Sequence, residues 1–66
     1  MESLLKEKVV LISGAGRGIG AAAARLFAAA GARVVLTARS TAEIEAVAAQ
    51  ITADGGKALA ITADIA

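Results

Sequence analysis

Glycines dominate one short stretch near the start of the chain, between an apolar run and an alanine-rich segment. Four of them fall within the seven residues from Gly14 to Gly20, directly after the hydroxyl-bearing Ser13. The first N–H groups of a helix have no partner inside the helix, and they carry the positive end of its dipole. Because glycines leave such groups open to a ligand, the stretch predicts a seat for a phosphate group.

The individual glycines have different predicted roles in this seat. At Gly14 and Gly18 a side chain would obstruct the phosphate or forbid the backbone angles, since glycine reaches a positive φ at little cost. Gly20 falls in the first turn of the following helix, where a small residue lets the helix and the strand pack closely. A purely structural tight turn is the alternative interpretation, but a buried strand before the turn and a helix after it favour the phosphate seat.

The segments around the glycines predict a βαβαβ order. Strands are expected at 8–13, 33–38 and 57–63, and helices at 18–30 and from about 41 to the Gly55–Gly56 pair. The first strand is apolar without alternation, which is typical of a parallel strand covered on both faces. Right-handed crossovers then give a parallel sheet with strand order 3-2-1 and both helices on one face. The fold class is α/β, half of a Rossmann-type doubly wound sheet that stops before the fourth strand.

Apolar spacing predicts which side of each helix is buried. The predicted stripe of the first helix is Ile19, Ala23, Leu26, Phe27 and Ala30. The predicted stripe of the second helix is Ile44, Val47, Ala48 and Ile51. Gly31 follows the first helix as its C′ residue, and the four residues from Ser40 to Glu43 form a capping box for the second.

Composition excludes several classes of function. The chain has no cysteine and no histidine, so it offers no disulfide, thiolate metal site or imidazole base. Its net charge is +1 without a basic run, which leaves nucleic-acid binding without an electrostatic footprint. Arg25 interrupts the most apolar window, which is shorter than the about 20 residues that span a bilayer, and no signal-peptide pattern precedes it. We therefore expect a soluble, cytoplasmic protein with no metal, membrane or nucleic-acid partner.

Three motifs in order carry a resemblance to a known family. The first, Ser13-Gly14-Ala15-Gly16-Arg17-Gly18-Ile19-Gly20, is similar to the T-G-x-x-x-G-I-G cofactor motif of the short-chain dehydrogenase/reductase family, with serine where threonine is usual. The second is the strand end Val34-Val35-Leu36-Thr37-Ala38-Arg39-Ser40, and the third is Ala63-Asp64-Ile65. The resemblance implies an oxidoreductase that transfers a hydride between a nicotinamide cofactor and a carbonyl or alcohol substrate. It also implies that Asp64 accepts a bond from the adenine amino group and that Ile65 lines the adenine pocket.

The end of the second strand indicates which cofactor is bound. Enzymes that prefer NAD place an acidic residue there for the ribose hydroxyls. Here the position, about 24 residues after Gly14, holds Ala38, with no acid beside it and Arg39 next. A guanidinium binds a 2′-phosphate in a bidentate manner, whereas a carboxylate would repel it. Arg17 can approach the same phosphate from the glycine turn, and the resemblance associates two such basic residues with NADP. Taken singly, either arginine could be a solvated surface charge.

Together these arguments define a set of candidate cofactor-binding residues: Ser13, Gly14, Arg17, Gly18, Ile19, Gly20, Arg39, Ser40, Asp64 and Ile65. Ser40 has two interpretations, as the cap of the second helix, which we favour, or as a donor to the 2′-phosphate. Asp64 has the alternative interpretation of a strand-end turn residue. Five other charged residues are interpreted as solvated: Arg25, Glu43, Glu45, Asp54 and Lys57.

The catalytic residues that the resemblance implies cannot be assigned in this chain. They are a serine, a Tyr-x-x-x-Lys pair and a supporting asparagine on the fourth strand, and the chain has neither tyrosine nor asparagine. We therefore expect residues 1–66 to be the N-terminal part of one Rossmann domain of a longer enzyme, able to bind NADP but inactive alone. The alternative is a non-catalytic dinucleotide-binding or structural module.

Two other nucleotide-binding classes are disfavoured by the sequence. A P-loop NTPase would need Lys-Ser/Thr after the glycines, and a methyltransferase usually has an acid after the second strand.

The first strand of the predicted sheet would have an open edge, and one face of the sheet would lack helices. Because open edges pair with other chains, we expect a homo-oligomer.

Overall fold

Strands and helices alternate in the computed structural model, which describes residues 5–16 and 18–63. The elements are β1 (Val9–Ser13), α1 (Gly18–Ala29), β2 (Arg33–Ala38), α2 (Thr41–Ala53) and β3 (Lys57–Thr62). The central strand β2 pairs with β1 on one side and β3 on the other, and both pairings are parallel. The predicted βαβαβ order, parallel sheet and strand order 3-2-1 are confirmed, and the fold is one half of a Rossmann-type sheet.

The core lies between the two helices and one face of the sheet. Val34 and Leu36 of β2 are its fully buried centre, and alternate residues of the outer strands pack beside them. The buried side chains of α2 are Ile44, Val47 and Ile51, with Ala48 packed against them. The stripe predicted for α2 is thus confirmed, and both helices cover the same face of the sheet.

The other face of the sheet carries large apolar side chains that neither α1 nor α2 covers. The exposed fractions are 68% for Val9, 66% for Leu11, 58% for Leu59 and 46% for Ile61. Their neighbours along β1, Val10 and Ile12, pack against the core instead. Only one face of β1 is therefore covered in this structure, although its continuous apolar run is typical of a strand covered on both.

The stripe predicted for α1 is wrong at its two largest aliphatic positions. Ile19 is 90% exposed and Leu26 is 60% exposed, whereas Phe27 and Ala30 do pack inward. The residues of α1 that are buried against the sheet are Ala21, Ala24 and Ala28. The helix lies so close to the strands that methyl groups fill the interface. A stripe drawn through the largest apolar side chains therefore lies partly on a neighbouring face of the helix and not on the face that is buried.

The ends of the helices follow the predicted signals. Gly31 has a φ of +101°, and its N–H donates to the carbonyl of Ala28 at 3.0 Å, as expected of a C′ glycine. Gly55, which follows α2, has a φ of +88°. The predicted bounds of α1, β1 and β3 each extend one residue beyond the observed elements. Within the described ranges, no helix is long and apolar enough to cross a membrane.

A matched pair of substitutions tests which face of α1 is buried. Ala24→Leu should destabilise the fold by about 1–3 kcal/mol, since Ala24 is fully buried and a larger side chain overpacks the interface. Ala22→Leu places the same side chain at an exposed position and should change stability by no more than about 0.5 kcal/mol. Urea unfolding followed by circular dichroism measures both. Equal losses would contradict the assignment of the buried face.

Candidate functional site

Two left-handed glycines shape the connection between β1 and α1. The φ angles are +67° at Gly14 and +64° at Gly18, conformations that disfavour any residue with a Cβ. Among the described residues other than its chain neighbours, a Cβ built on either glycine would meet no atom within 4 Å, so both face open space there. A ligand could therefore approach the backbone here, as the sequence predicts for a phosphate. The part that each glycine plays in binding stays a prediction.

Gly20, the third glycine of the predicted motif, lies against the backbone of the glycine turn. A Cβ on Gly20 would stand 2.3 Å from the carbonyl oxygen of Gly14 and 3.1 Å from the Cα of Ala15. Only a residue without a side chain can occupy this position, because the obstructing atoms belong to the backbone. The close packing predicted for Gly20 is present, and it lets the first turn of α1 lie against the glycine turn.

The glycine turn is also tied to β2. The backbone N–H of Ala15 donates to the carbonyl of Thr37 at 3.2 Å, and Ala15 itself is buried. The hydroxyl of Thr37 is buried too and finds no hydrogen-bond partner among the described residues. The carbonyl of Thr37, and not its hydroxyl, thus ties the glycine turn to β2. Ser13 pairs with Thr37 in the sheet, so the ends of β1 and β2 lie side by side.

The end of β2 leads within two residues into α2. Ala38 packs against the core, and Arg39 after it is exposed. Ser40 has an extended backbone, and its Oγ accepts a hydrogen bond from the N–H of Glu43 at 3.4 Å. The predicted cap is confirmed. A hydrogen bond between the hydroxyls of Thr41 and Thr62 also ties the first residue of α2 to the end of β3.

Glu43 differs from its predicted solvated role. It is half-buried, and a Cβ placed on Gly16 would lie 2.9 Å from both the Cβ and Oε1 of Glu43. The carboxylate is therefore directed at the glycine turn. The sequence argument found no acid beside Ala38, but the fold brings this acid to the same edge of the sheet. The sequence signal that could have located Glu43 is its position in the first helical turn after the cap, because the start of α2 adjoins the strand ends.

Of the other positions predicted to bind the cofactor, two are described in the structure and three lie outside the described residues. Ser13 and Ile19 are exposed at the end of β1 and the start of α1, on either side of the glycine turn. Arg17, Asp64 and Ile65 lie outside the described residues, and the roles predicted for them stay predictions. Arg25, predicted as a solvated charge, is exposed and donates to the Gln50 side chain at 2.6 and 3.0 Å, far along the helices. In the described part of the chain, no cluster of three acidic, histidine or cysteine residues could hold a metal ion.

Comparison with protein families matches residues 8–66 to the short chain dehydrogenase family. An uncharacterized oxidoreductase of Mycobacterium tuberculosis is 50% identical over 62 residues, covering 94% of this chain and 24% of the relative. A 3-oxoacyl-[acyl-carrier-protein] reductase of Synechocystis is 46% identical over 63 residues, covering 94% of this chain and 26% of the relative. The chain thus spans about a quarter of the length of these curated relatives.

Solved structures give the same result for the fold. A citronellol catabolism dehydrogenase of Pseudomonas aeruginosa superimposes with a TM-score of 0.96 at 35% identity, over 98% of this chain and 27% of that protein. A metagenomic short-chain oxidoreductase in complex with NADP gives a TM-score of 0.91 at 48% identity, over 92% of this chain and 28% of that protein.

Alanine substitutions at two glycines test the geometry of the turn. Gly20→Ala should cost about 3 kcal/mol, since its Cβ meets the backbone of Gly14. Gly18→Ala should cost about 1–2 kcal/mol, because its Cβ has room and only the left-handed backbone opposes it. Chemical unfolding of the two variants gives both values. A larger loss for Gly18→Ala would contradict the close contact at Gly20.

Proposed function

The chain belongs to the short-chain dehydrogenase family, and from that premise we propose that it is the NADP-binding N-terminal part of an oxidoreductase. The parent enzyme would transfer a hydride between NADP(H) and a carbonyl or alcohol substrate. The observation that carries the proposal is the glycine turn. Gly14 and Gly18 are left-handed, no described neighbouring atom lies within 4 Å of a Cβ built on either, and Gly20 lets the first turn of α1 approach the turn closely. Such a surface suits a pyrophosphate.

The residues at the two strand ends fit a dinucleotide in complementary ways. The glycine turn and the first N–H groups of α1 would hold the pyrophosphate, and the end of β2 would hold the adenosine ribose. When bound, the nicotinamide supplies the hydride chemistry. This chain's own residues would bind and orient the adenosine half of the cofactor. Because the chain has no tyrosine or asparagine, we propose that it does not turn over substrate by itself.

The preference for NADP over NAD rests on charge at the end of β2. Arg39 is exposed directly after Ala38, where an NAD-binding site would place a carboxylate. A guanidinium there can bind a 2′-phosphate through two charge-assisted hydrogen bonds. Arg17 is proposed to contact the same phosphate, and Asp64 and Ile65 are proposed to hold the adenine. The relative in complex with NADP supports this choice by analogy.

Three features of the parent protein are part of the same proposal. Residues 1–66 would form the first part of one Rossmann domain, with the catalytic Tyr-x-x-x-Lys pair in the following part of the parent sequence. A reading frame that continued into such a pair would support the enzyme, and a stop codon after Ala66 would support a non-catalytic module. The parent is proposed to be cytoplasmic and to form a homo-oligomer, and light scattering would test the latter.

Cofactor selectivity can be tested with two arginines of the same strand region. Arg39→Ala should weaken NADPH binding by about 10-fold or more, since a hydrogen bond to a charged group contributes about 1.5–3 kcal/mol, and should leave NADH binding nearly unchanged. Arg33→Ala removes an equally exposed arginine from the opposite end of β2 and should affect neither. NMR titrations of the 66-residue chain with each cofactor measure all of these affinities.

The titrations also report where the cofactor binds. Shifts at the glycine turn with both cofactors, but unequal affinities, would agree with a shared pyrophosphate seat and a separate 2′-phosphate contact. Equal affinities for NADPH and NADH in the unmodified chain would contradict the NADP preference while keeping the seat. No response to either cofactor would contradict cofactor binding by this chain.

A further inference from the structure

The face of the sheet that α1 and α2 leave uncovered has an apolar centre. Side chains alternate between the two faces of a strand, so the register of the strands decides which residues share this face. The middle row across β1, β2 and β3 is Leu11, Val35 and Leu59. Leu11 and Leu59 are 66% and 58% exposed, and Val35 between them is half-buried. An apolar row therefore crosses the whole width of the sheet.

The rows on either side of this centre differ in polarity. The row nearer the start of the strands is Val9, Arg33 and Lys57. The row nearer the end of the strands is Ser13, Thr37 and Ile61. Arginine and lysine only donate hydrogen bonds, whereas the hydroxyls of serine and threonine also accept them. The face thus has a donor end, which carries both cations, an apolar centre and an acceptor end.

Two symmetric arrangements could stack this face on the same face of a second copy. With the strands of the two copies parallel, the cation row of one copy lies over the cation row of the other, and Arg33 on the central strand faces its own equivalent. With the strands antiparallel, the donor end of each copy lies over the acceptor end of the other. The apolar rows face each other in both cases. Because like charges meet only in the parallel arrangement, the antiparallel arrangement is favoured.

We propose that this face binds a second copy of the same chain, with the strands of the two copies antiparallel, so that two sheets enclose one apolar layer. The inference rests on the homo-oligomer of the proposed function and names its surface, but it does not depend on cofactor binding. Association uses the uncovered face of the sheet and not the open edge of β1. The net charge of +1 opposes the approach of two copies only weakly.

The size of the face indicates how tightly two copies associate. Strands about 4.8 Å apart, with rows about 7 Å apart along them, give a face of roughly 15 by 15 Å. Each partner in a standard interface buries about 800 Å² of accessible surface, which is more than this face offers. Since smaller interfaces are typical of weak complexes, we expect a dimer with a Kd of about 0.1–1 mM.

Sedimentation equilibrium of the 66-residue chain, at concentrations up to about 1 mM, measures this association. Leu11→Lys places the lysines of two copies opposite each other in the apolar layer and should weaken the dimer by about 10-fold or more. Leu26→Lys is the matched control, because it adds the same charge at a leucine of α1 that is 60% exposed. It should change the Kd by less than about twofold. Circular dichroism establishes that each variant is folded.

A variant on β3 separates the face of the sheet from the edge of β1. Leu59 lies in the same apolar row as Leu11, but β3 is at the opposite side of the sheet from β1. Leu59→Lys should therefore weaken the dimer by about 10-fold or more, as Leu11→Lys does. Pairing through the edge of β1 predicts that Leu59→Lys has no effect.

Salt distinguishes the two orientations of the copies. In the antiparallel arrangement no like charges face each other, so the Kd should change by less than about threefold between about 0.05 and 0.5 M sodium chloride. In the parallel arrangement, screening of the facing cations would tighten the dimer by about 10-fold over the same range. Tightening of that size would overturn the antiparallel arrangement.

The remaining outcomes separate this inference from the proposed function. A chain that stays monomeric up to about 1 mM would overturn the inference and leave the face to another partner, such as the following part of the parent sequence. Association that Leu59→Lys leaves unchanged, or that Leu26→Lys weakens as much as Leu11→Lys does, would also overturn it. A chain that dimerises as expected but gives no NMR response to NADPH would contradict the proposed cofactor binding and leave this inference standing.

Discussion

The close approach of Gly20 to the carbonyl of Gly14 sets how near the first turn of α1 lies to the glycine turn. The backbone of α1 approaches the glycine turn so closely that one added carbon would stand 2.3 Å from an oxygen. The first N–H groups of α1, which have no partner inside the helix, therefore adjoin the glycine turn, because Gly18 is both part of that turn and the first residue of α1. The close approach also fixes the depth of α1 over the sheet, and therefore the size of the side chains that fit between them.

The composition of the core follows from this depth. The buried residues of α1 are alanines, with Phe27 partly buried beside them, while the bulk of the core comes from β2 and from Ile44, Val47 and Ile51 of α2. α1 thus packs close to the sheet through small side chains, whereas α2 buries larger apolar side chains. Ile19 and Leu26 are exposed for the same reason. A large aliphatic side chain between α1 and the sheet would push the helix away from the glycine turn.

Local signals in the sequence predicted the fold well. The glycines with positive φ, the cap at Ser40, the C′ glycine at Gly31 and the strand order all depend on neighbouring residues or on the handedness of crossovers. Apolar spacing does not predict the inner face of α1, because it counts isoleucine and leucine as buried, whereas the close approach of the helix favours alanine. The position of Glu43 is harder to predict for a different reason: its contact with Gly16 joins positions 27 residues apart, and it depends on how the start of α2 is placed beside the glycine turn.

The uncovered face of the sheet has a thermodynamic consequence. Val9, Leu11, Leu59 and Ile61 keep much of their surface in water when the chain is folded, so unfolding exposes less new apolar area than in a fully covered sheet of the same length. Heat capacity change and denaturant sensitivity both scale with that area. The stability curve of this chain should consequently be broad and shallow against temperature. Any surface that covered the sheet would sharpen the unfolding transition as well as stabilise the fold.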